Sequence, residues 1–311
     1  MPFVLGCDEA YRIPRIEPVL HAWPDPYRGV DGLRVHVFDT GTMSIPAALV
    51  HRGGNPFEPH ELDVAAFVVE HPVAGLIVFD TGFGVRVRTD PEAYLGVVLN
   101  ALAGFEMGEG QELAAQMRDA GLDPASVEYV VLSHLHFDHS GSVEAFGGAT
   151  TVVAHAERDA ARASSGLLDF YFTEDVDEVG EWLEVDYDGG EPLATFTAHH
   201  DLLGDGSVVL VDLAGHTAGS QGMLLSTSAG PVLLAGGVAA IEENWRYASR
   251  PALAHDPKLW WEQVWRIKKL VQLVPDAIVL PGHDIEAIER IDSDVIDVHA
   301  WTEGGDGGGG G

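Results

Sequence analysis

The chain is poor in cysteine, in lysine and in long apolar runs. Cys7 is the single cysteine among 311 residues, which excludes an intrachain disulfide. No electropositive neighbours surround it in sequence, so it reads as an ordinary small residue rather than a nucleophile. Lysine occurs only as Lys258, Lys268 and Lys269. Seventeen basic residues stand against 49 acidic ones, for a net charge of −32. Such a surface repels phosphate backbones and argues against a nucleic-acid partner. It suits a concentrated-salt interior, where counterions screen self-repulsion; a plainly acidic protein at ordinary salt has the same composition, and both readings stay open. The longest uncharged runs, LGVVLNALAGF and GPVLLAGGVAAI, fall short of a membrane span. The amino terminus carries no basic stretch followed by an apolar run. The expectation is a soluble cytoplasmic protein with no membrane partner.

What is present is a large core. Hydrophobic residues make up 46% of the chain. Short β-branched runs end repeatedly in turn residues: RVHVFDTG, AAFVVEHP, GLIVFDTG, VEYVVLSH, TTVVAHAE, SVVLVDLAG, GMLLSTS, PVLLAGG and AIVLPGHD. Several are apolar throughout, as expected of strands covered on both faces. Two of them share the ending VFDTG, a faint echo of duplication. GQELAAQMRDAG and DPKLWWEQVWRIKKLVQLVP read as helices. In the second, Asp256 caps, Pro257 opens and Pro275 ends the run. Leu259, Val264, Ile267, Leu270, Val271 and Val274 trace its expected apolar face, and its three tryptophans read as core and rim packing. Helices interspersed with a dozen or so strands predict a layered α/β fold. No linker interrupts it, so residues 1–303 form one domain, with a disordered glycine-rich tail at 304–311. The less regular stretch from about 86 to 110 is either an active-site cap or a plain connection.

The chemistry is concentrated in SHLHFDHSG, residues 133–141. His134 and His136, two apart, point the same way from an extended segment. Asp138 and His139 follow where the chain turns and can face a second position. Three imidazoles and a carboxylate are costly to bury unpaired, and together they favour zinc or a similar ion. This loop alone does not complete two metal sites. LAGHTAGS places His216 after one strand, and VLPGHDIE places His283 after another. His155, His199 and His200 read as structural or surface histidines.

The HxHxDH run, GHTAGS and PGHD, in that order, resemble the metallo-β-lactamase superfamily over roughly residues 34–290. LPGHDIEAIERI and LLAGGVAAIEEN are similar to the N-acyl-homoserine lactonases within it. The resemblance implies a four-layer αβ/βα sandwich with its metal site at one edge of the two sheets. It implies that His134, His136 and His216 hold a first metal ion, and Asp138, His139 and His283 a second. Asp80 resembles a loop carboxylate near the ligands, either a partner of a ligand histidine or a turn residue. One or two zinc ions per chain are expected, with a small ester or lactone as substrate. The implied reaction is attack of a metal-bound hydroxide on the lactone carbonyl, with Asp138 passing a proton to the departing ring oxygen.

The chain departs from that pattern at three places. Gly237 stands where the lactonases have an aspartate bridging both metals. Ala240 stands where they have a tyrosine that contacts the substrate carbonyl. Ala218 stands where a proline is common. Without the bridging carboxylate, two zinc ions, Asp138 and a hydroxide leave +2 rather than +1. Two divalent ions about 3.5 Å apart repel by roughly 19 kcal/mol at an effective dielectric near 20, before ligand terms. The expectation is a weakened second site, or one completed by another carboxylate such as Glu242, Glu243 or Asp284. Tyr171 and Tyr247 are the phenols that could stand in at 240. Two other functions compete with the lactonase: a glyoxalase II-like thioesterase, and a non-catalytic metal-binding scaffold of the same fold.

Overall fold

The computed structural model describes residues 11–51, 53–164, 170–177, 179–251 and 254–301. Cys7 and the tail 304–311 lie outside them. The first sheet is built from β1 (Arg34–Pro46), β2 (Pro59–His71), β3 (Gly75–Phe79), β4 (Gly104–Glu106), β5 (Val127–Val131), β6 (Thr150–Ala154) and β7 (Glu181–Val185). The second comprises β8 (His199–Asp201), β9 (Val208–Asp212), β10 (Gln221–Thr227), β11 (Gly230–Leu234) and β12 (Ile278–Leu280). The last strand, β13 (Ile296–His299), returns to the first sheet. The strand orders are β13-β1-β2-β3-β5-β6-β7, with β4 on β1, and β12-β11-β10-β9-β8. β1 and β3 each run antiparallel to β2, whereas β3, β5, β6 and β7 run parallel.

The side-chain period of two explains the layers. Val35, Val37, Phe67, Val69, Ile77 and Phe79 face Leu210, Met223, Leu225, Val232 and Leu234 across the space between the sheets. Their neighbours Ala66, Val68, Val78 and Val130 point outward onto Leu113, Ala114 and Met117 of the helix Leu113–Asp119. On the far side Val211, Leu224 and Leu233 meet Trp260, Val264, Ile267 and Leu270 of the helix Pro257–Leu273. Helix, sheet, sheet, helix is the expected αβ/βα sandwich. Strands covered on both faces account for the apolar runs.

The helix Pro257–Leu273 begins as expected, with the Asp256 carboxylate accepting from Lys258 N–H and Leu259 N–H. Its buried face keeps Val264, Ile267 and Leu270 of the sequence expectation but not Leu259. Leu259 is exposed, and Trp260 is buried in its place, in line with Gln263, Val264, Ile267 and Leu270. The Trp260 indole also donates to Val238 O at 2.8 Å. Trp260→Ala should cost about 3–5 kcal/mol in urea unfolding, since it empties a filled site and orphans that carbonyl.

The stretch 86–106 is structured. It forms the helices Arg86–Thr89 and Pro91–Leu102, the latter kinked at Gly96, and then β4. Val87, Tyr94 and Leu95 pack with Phe83 and Phe137, so the segment roofs the loop that carries the histidines. No helix among the described residues is long and apolar enough to cross a membrane.

Candidate metal centre

The carboxyl ends of β3 and β5 in one sheet meet those of β9, β11 and β12 in the other, and the loops leaving them form the site. After β5 the chain stays extended through His136 and then makes one helical turn, Phe137–Ser140. The His134 ring is fully buried, and its Nε2 lies 3.0 Å from His136 Nδ1. His216, in the β9–β10 loop, brings its ring centroid to 4.8 Å from that of His134. His139 Nε2 lies 3.1 Å from His283 Nε2, and Asp138 Oδ2 lies 3.6 and 3.5 Å from those two atoms. Two groups result: His134, His136 and His216, and Asp138, His139 and His283. Within each, one ligand atom per residue lies within 4.8 Å of the others. The groups abut, with the His134 and His139 rings 4.1 Å apart. All six residues singled out by sequence are therefore brought together.

Partners behind the rings fix their orientation. The Asp80 carboxylate, buried at a positive φ of 60°, accepts from Ser133 N–H (2.6 Å), Ser133 Oγ–H (2.7 Å) and His139 Nδ1 (2.7 Å). Ser133 Oγ in turn lies 2.9 Å from His134 Nδ1. One carboxylate thus reaches a ring in each group, and Asp80 is a partner of the histidines rather than a turn residue. His283 Nδ1 donates to Asp63 O at 2.8 Å. His216 Nδ1 is buried with no hydrogen-bond partner among the described residues. That ring is placed by its backbone instead: Gly215 O and His216 O accept from Asp256 N–H and His255 N–H, each at 2.9 Å. Gly215, at φ 137°, lets the Trp260 backbone approach to where a β-carbon would meet its nitrogen at 2.4 Å. The loop carrying His283 hangs on the 236–240 turn through Gly282 N–H to Ala239 O (3.0 Å) and His283 N–H to Ala240 O (2.8 Å).

Electrostatics put most of the donors in the form a cation needs. Burial, reinforced by neighbouring imidazoles, holds His134 and His216 well below the usual histidine range and His283 at about 4. Neutral imidazole is the ligating form. Burial pushes Asp138 up, but His139 and His283 outweigh it and keep the carboxylate ionised. His139 runs the other way: burial opposes its proton, yet Asp80 and Asp138 raise it overall. Five imidazoles and one carboxylate converged in this manner fit zinc-type ions.

The departures from the lactonase pattern have a geometric counterpart. A β-carbon on Gly237 would lie 2.5 Å from His216 Cδ2, 2.9 Å from His216 Nε2 and 2.7 Å from His134 Cε1. The imidazoles occupy the space where a side chain at 237 would start. None of the three expected substitute carboxylates reaches the cluster. Asp284 caps the helix Ile285–Glu289 and accepts from Glu242 N–H. Glu242 pairs with Arg246 and Arg290, and Glu243 is exposed. Of the two phenols, Tyr247 is 71% exposed, and the Tyr171 hydroxyl donates to Glu157 Oε1 at 3.0 Å. His155 is exposed and pairs with Glu184; His199 and His200 lie in β8, half-buried, with His199 Nδ1 donating to Glu191 O. Sequence reasoning missed Ser133, which opens the histidine motif, and Asp63 and Glu157, which stand outside any motif.

The model of the metallo-beta-lactamase superfamily matches residues 61–283. An N-acyl homoserine lactonase, AttM of Azorhizobium caulinodans, is 28% identical over 260 residues, covering 82% of this chain and 94% of that protein. Among solved structures, an N-acyl homoserine lactone hydrolase with the product N-hexanoyl-L-homoserine at its catalytic metal centre superposes with a TM-score of 0.71. It shares 22% identity, over 84% of this chain and 97% of that one. AidC, described as a dizinc quorum-quenching lactonase, superposes at 0.57 with 15% identity, over 83% and 90% of the two chains.

Proposed function

Since the chain belongs to the metallo-beta-lactamase superfamily, we propose that it is a metal-dependent hydrolase that opens lactones, N-acyl-homoserine lactones foremost. The observation that carries this reading is the convergence of six donor side chains into two abutting groups. His134, His136 and His216 would hold one ion and Asp138, His139 and His283 the other, with zinc suited to both donor sets. When bound, the ions supply Lewis acidity and a hydroxide at neutral pH.

The residues of this chain supply the rest. Asp80 and Asp63 O fix the tautomers of His139 and His283, so that Nε2 of each faces the cluster. Asp138 is the carboxylate of the cluster itself, whereas Asp80 behind it is engaged by Ser133 and His139. Asp138 is therefore the residue that would take a proton from the attacking water and return it to the departing ring oxygen. Phe170 and Tyr171 pack edge-on against His136, with ring centroids 5.6 and 5.3 Å away, and shield one flank of the site from water. Of the two candidate phenols, Tyr171 is engaged by Glu157 and Tyr247 is exposed; a site without that donor turns over about 10²–10³ more slowly than one that has it.

Purified protein loaded with zinc should release acid from an N-acyl-homoserine lactone in a pH-stat, and should lose this on chelation and regain it with zinc. Faster cleavage of a glutathione thioester than of the lactone would favour the thioesterase. Gly237 and Ala240 favour one further reading, a scaffold that holds metal without turnover. Full zinc loading with no hydrolysis of either substrate would establish it.

A further inference from the structure

We propose that Glu157 is the positioning residue of the first group, a buried carboxylate that locks the loop of His134 and His136 to the loop of His216. This rests on the reading of the cluster as a metal centre. Glu157 lies on the helix His155–Ala163, which follows β6, and none of it is exposed. Its Oε1 accepts from Leu135 N–H at 3.0 Å, and Leu135 sits between the two histidines. Its Oε2 accepts from Gly219 N–H at 2.9 Å, three residues beyond His216. The Thr217 side chain is a further partner, and Thr217 is braced by Ser220 at 2.6 Å. The backbones are in close contact here: a β-carbon on Gly219 would lie 2.3 Å from Glu157 N.

The role follows from what the other rings have and His216 lacks. His134, His139 and His283 each have a partner on Nδ1, whereas His216 has none among the described residues. The position of its ring depends on how its loop is held. One face of that loop is tied by Asp256 N–H and His255 N–H. Glu157 ties the other, and the same carboxylate ties the opposing loop, so it sets the span between the two arms of the group. Its partners are N–H and O–H dipoles, and no lysine or arginine among the described residues pairs with it. An unpaired buried carboxylate is costly, and here it is held by hydrogen bonds alone.

The Tyr171 hydroxyl bonds the same Oε1 while its ring packs on His136. The 170–172 segment is further joined to the loop through Phe137 N–H to Phe170 O at 3.2 Å. Glu157 is thus the junction of three segments that enclose the first group, and it touches no ligand atom.

The test is stepwise zinc binding by competition with a chromophoric chelator, on wild type, Glu157→Gln and Tyr171→Phe. His216→Ala, which keeps the second group intact, gives the reference constant for that group alone. In Glu157→Gln an amide N–H faces a backbone N–H on one side, so one tie opens. The expected result is a 10–100-fold weaker constant for the first group with the second unchanged, the size usual for partners behind metal ligands. The visible spectrum of the cobalt-loaded protein should change with it. Tyr171→Phe removes one bond and should weaken the same constant a few-fold, which serves if Glu157→Gln does not fold. Variants that bind both ions as wild type does, or that lose both in step with their melting temperature, would overturn the role of Glu157. A wild type that takes up no zinc would instead overturn the metal centre itself.

Discussion

Gly237→Asp should lower zinc uptake and leave turnover reduced by about 10²-fold rather than restored. On charge alone the added carboxylate helps, because it offsets cation–cation repulsion. Geometry decides against it. The first side-chain atom would stand 2.5 Å from His216 and 2.7 Å from His134. Ordinary van der Waals contact requires those rings to retreat by about 1 Å, a displacement that can cost 10² in activity. They have little room to do so. Ser133 Oγ holds His134 within a fully buried position, and two backbone bonds hold the Gly215–His216 peptides. Gly237→Ala separates the two effects, since it adds the clash without the charge. Both variants should show weaker zinc binding by calorimetry, alanine included. A rise in turnover in Gly237→Asp with undiminished zinc would show that the rings yield and that only the carboxylate was missing.

Asp80→Ala should be the most destabilising single change at the site. It leaves the buried Ser133 N–H and His139 Nδ1 without acceptors, a loss on the order of 3–5 kcal/mol for a broken buried charged network. It also removes the short polar side chain that eases a left-handed conformation at φ 60°, which adds to the loss. Urea unfolding of the metal-free protein measures this cost apart from any metal contribution. In protein that still folds, both zinc constants should fall, because Asp80 serves His139 directly and His134 through Ser133. This two-site loss contrasts with the one-site loss expected of Glu157→Gln. An Asp80→Ala protein that unfolds like wild type would refute the network.

The clustered donors are legible in the sequence because they stand in short, dense motifs. His134 to His139 span six positions, and His216 and His283 each sit between small residues at a strand end. The sandwich was legible from strands that are apolar on both faces. The short strands EWLEV, HHD and IDVH are not: three to five residues mixed with charge or histidine are too short a run to signal pairing, and they form on the template of a neighbouring strand. Leu259 and Trp260 were exchanged because both fit a helical stripe, and the packing of the far sheet decides between them. Asp80 was undecided because its hydrogen bonds cross to Ser133 and His139, more than fifty residues away. Glu157 was invisible. Within HAERDAARA it looks like one more exposed helix charge, and only the folded loops turn it inward. The crowding at Gly237 is likewise a property of three loops and of no single motif.

The bonds from Gly282 and His283 to the carbonyls of Ala239 and Ala240 involve main chain only. A support made of main chain is indifferent to the side chains mounted on it. Position 240 can therefore gain or shed a reactive group without re-spacing His283, so the grip on the cation and the repertoire of the catalyst can change independently. Adding a phenol there is accordingly a smaller alteration to this protein than adding a carboxylate three residues earlier.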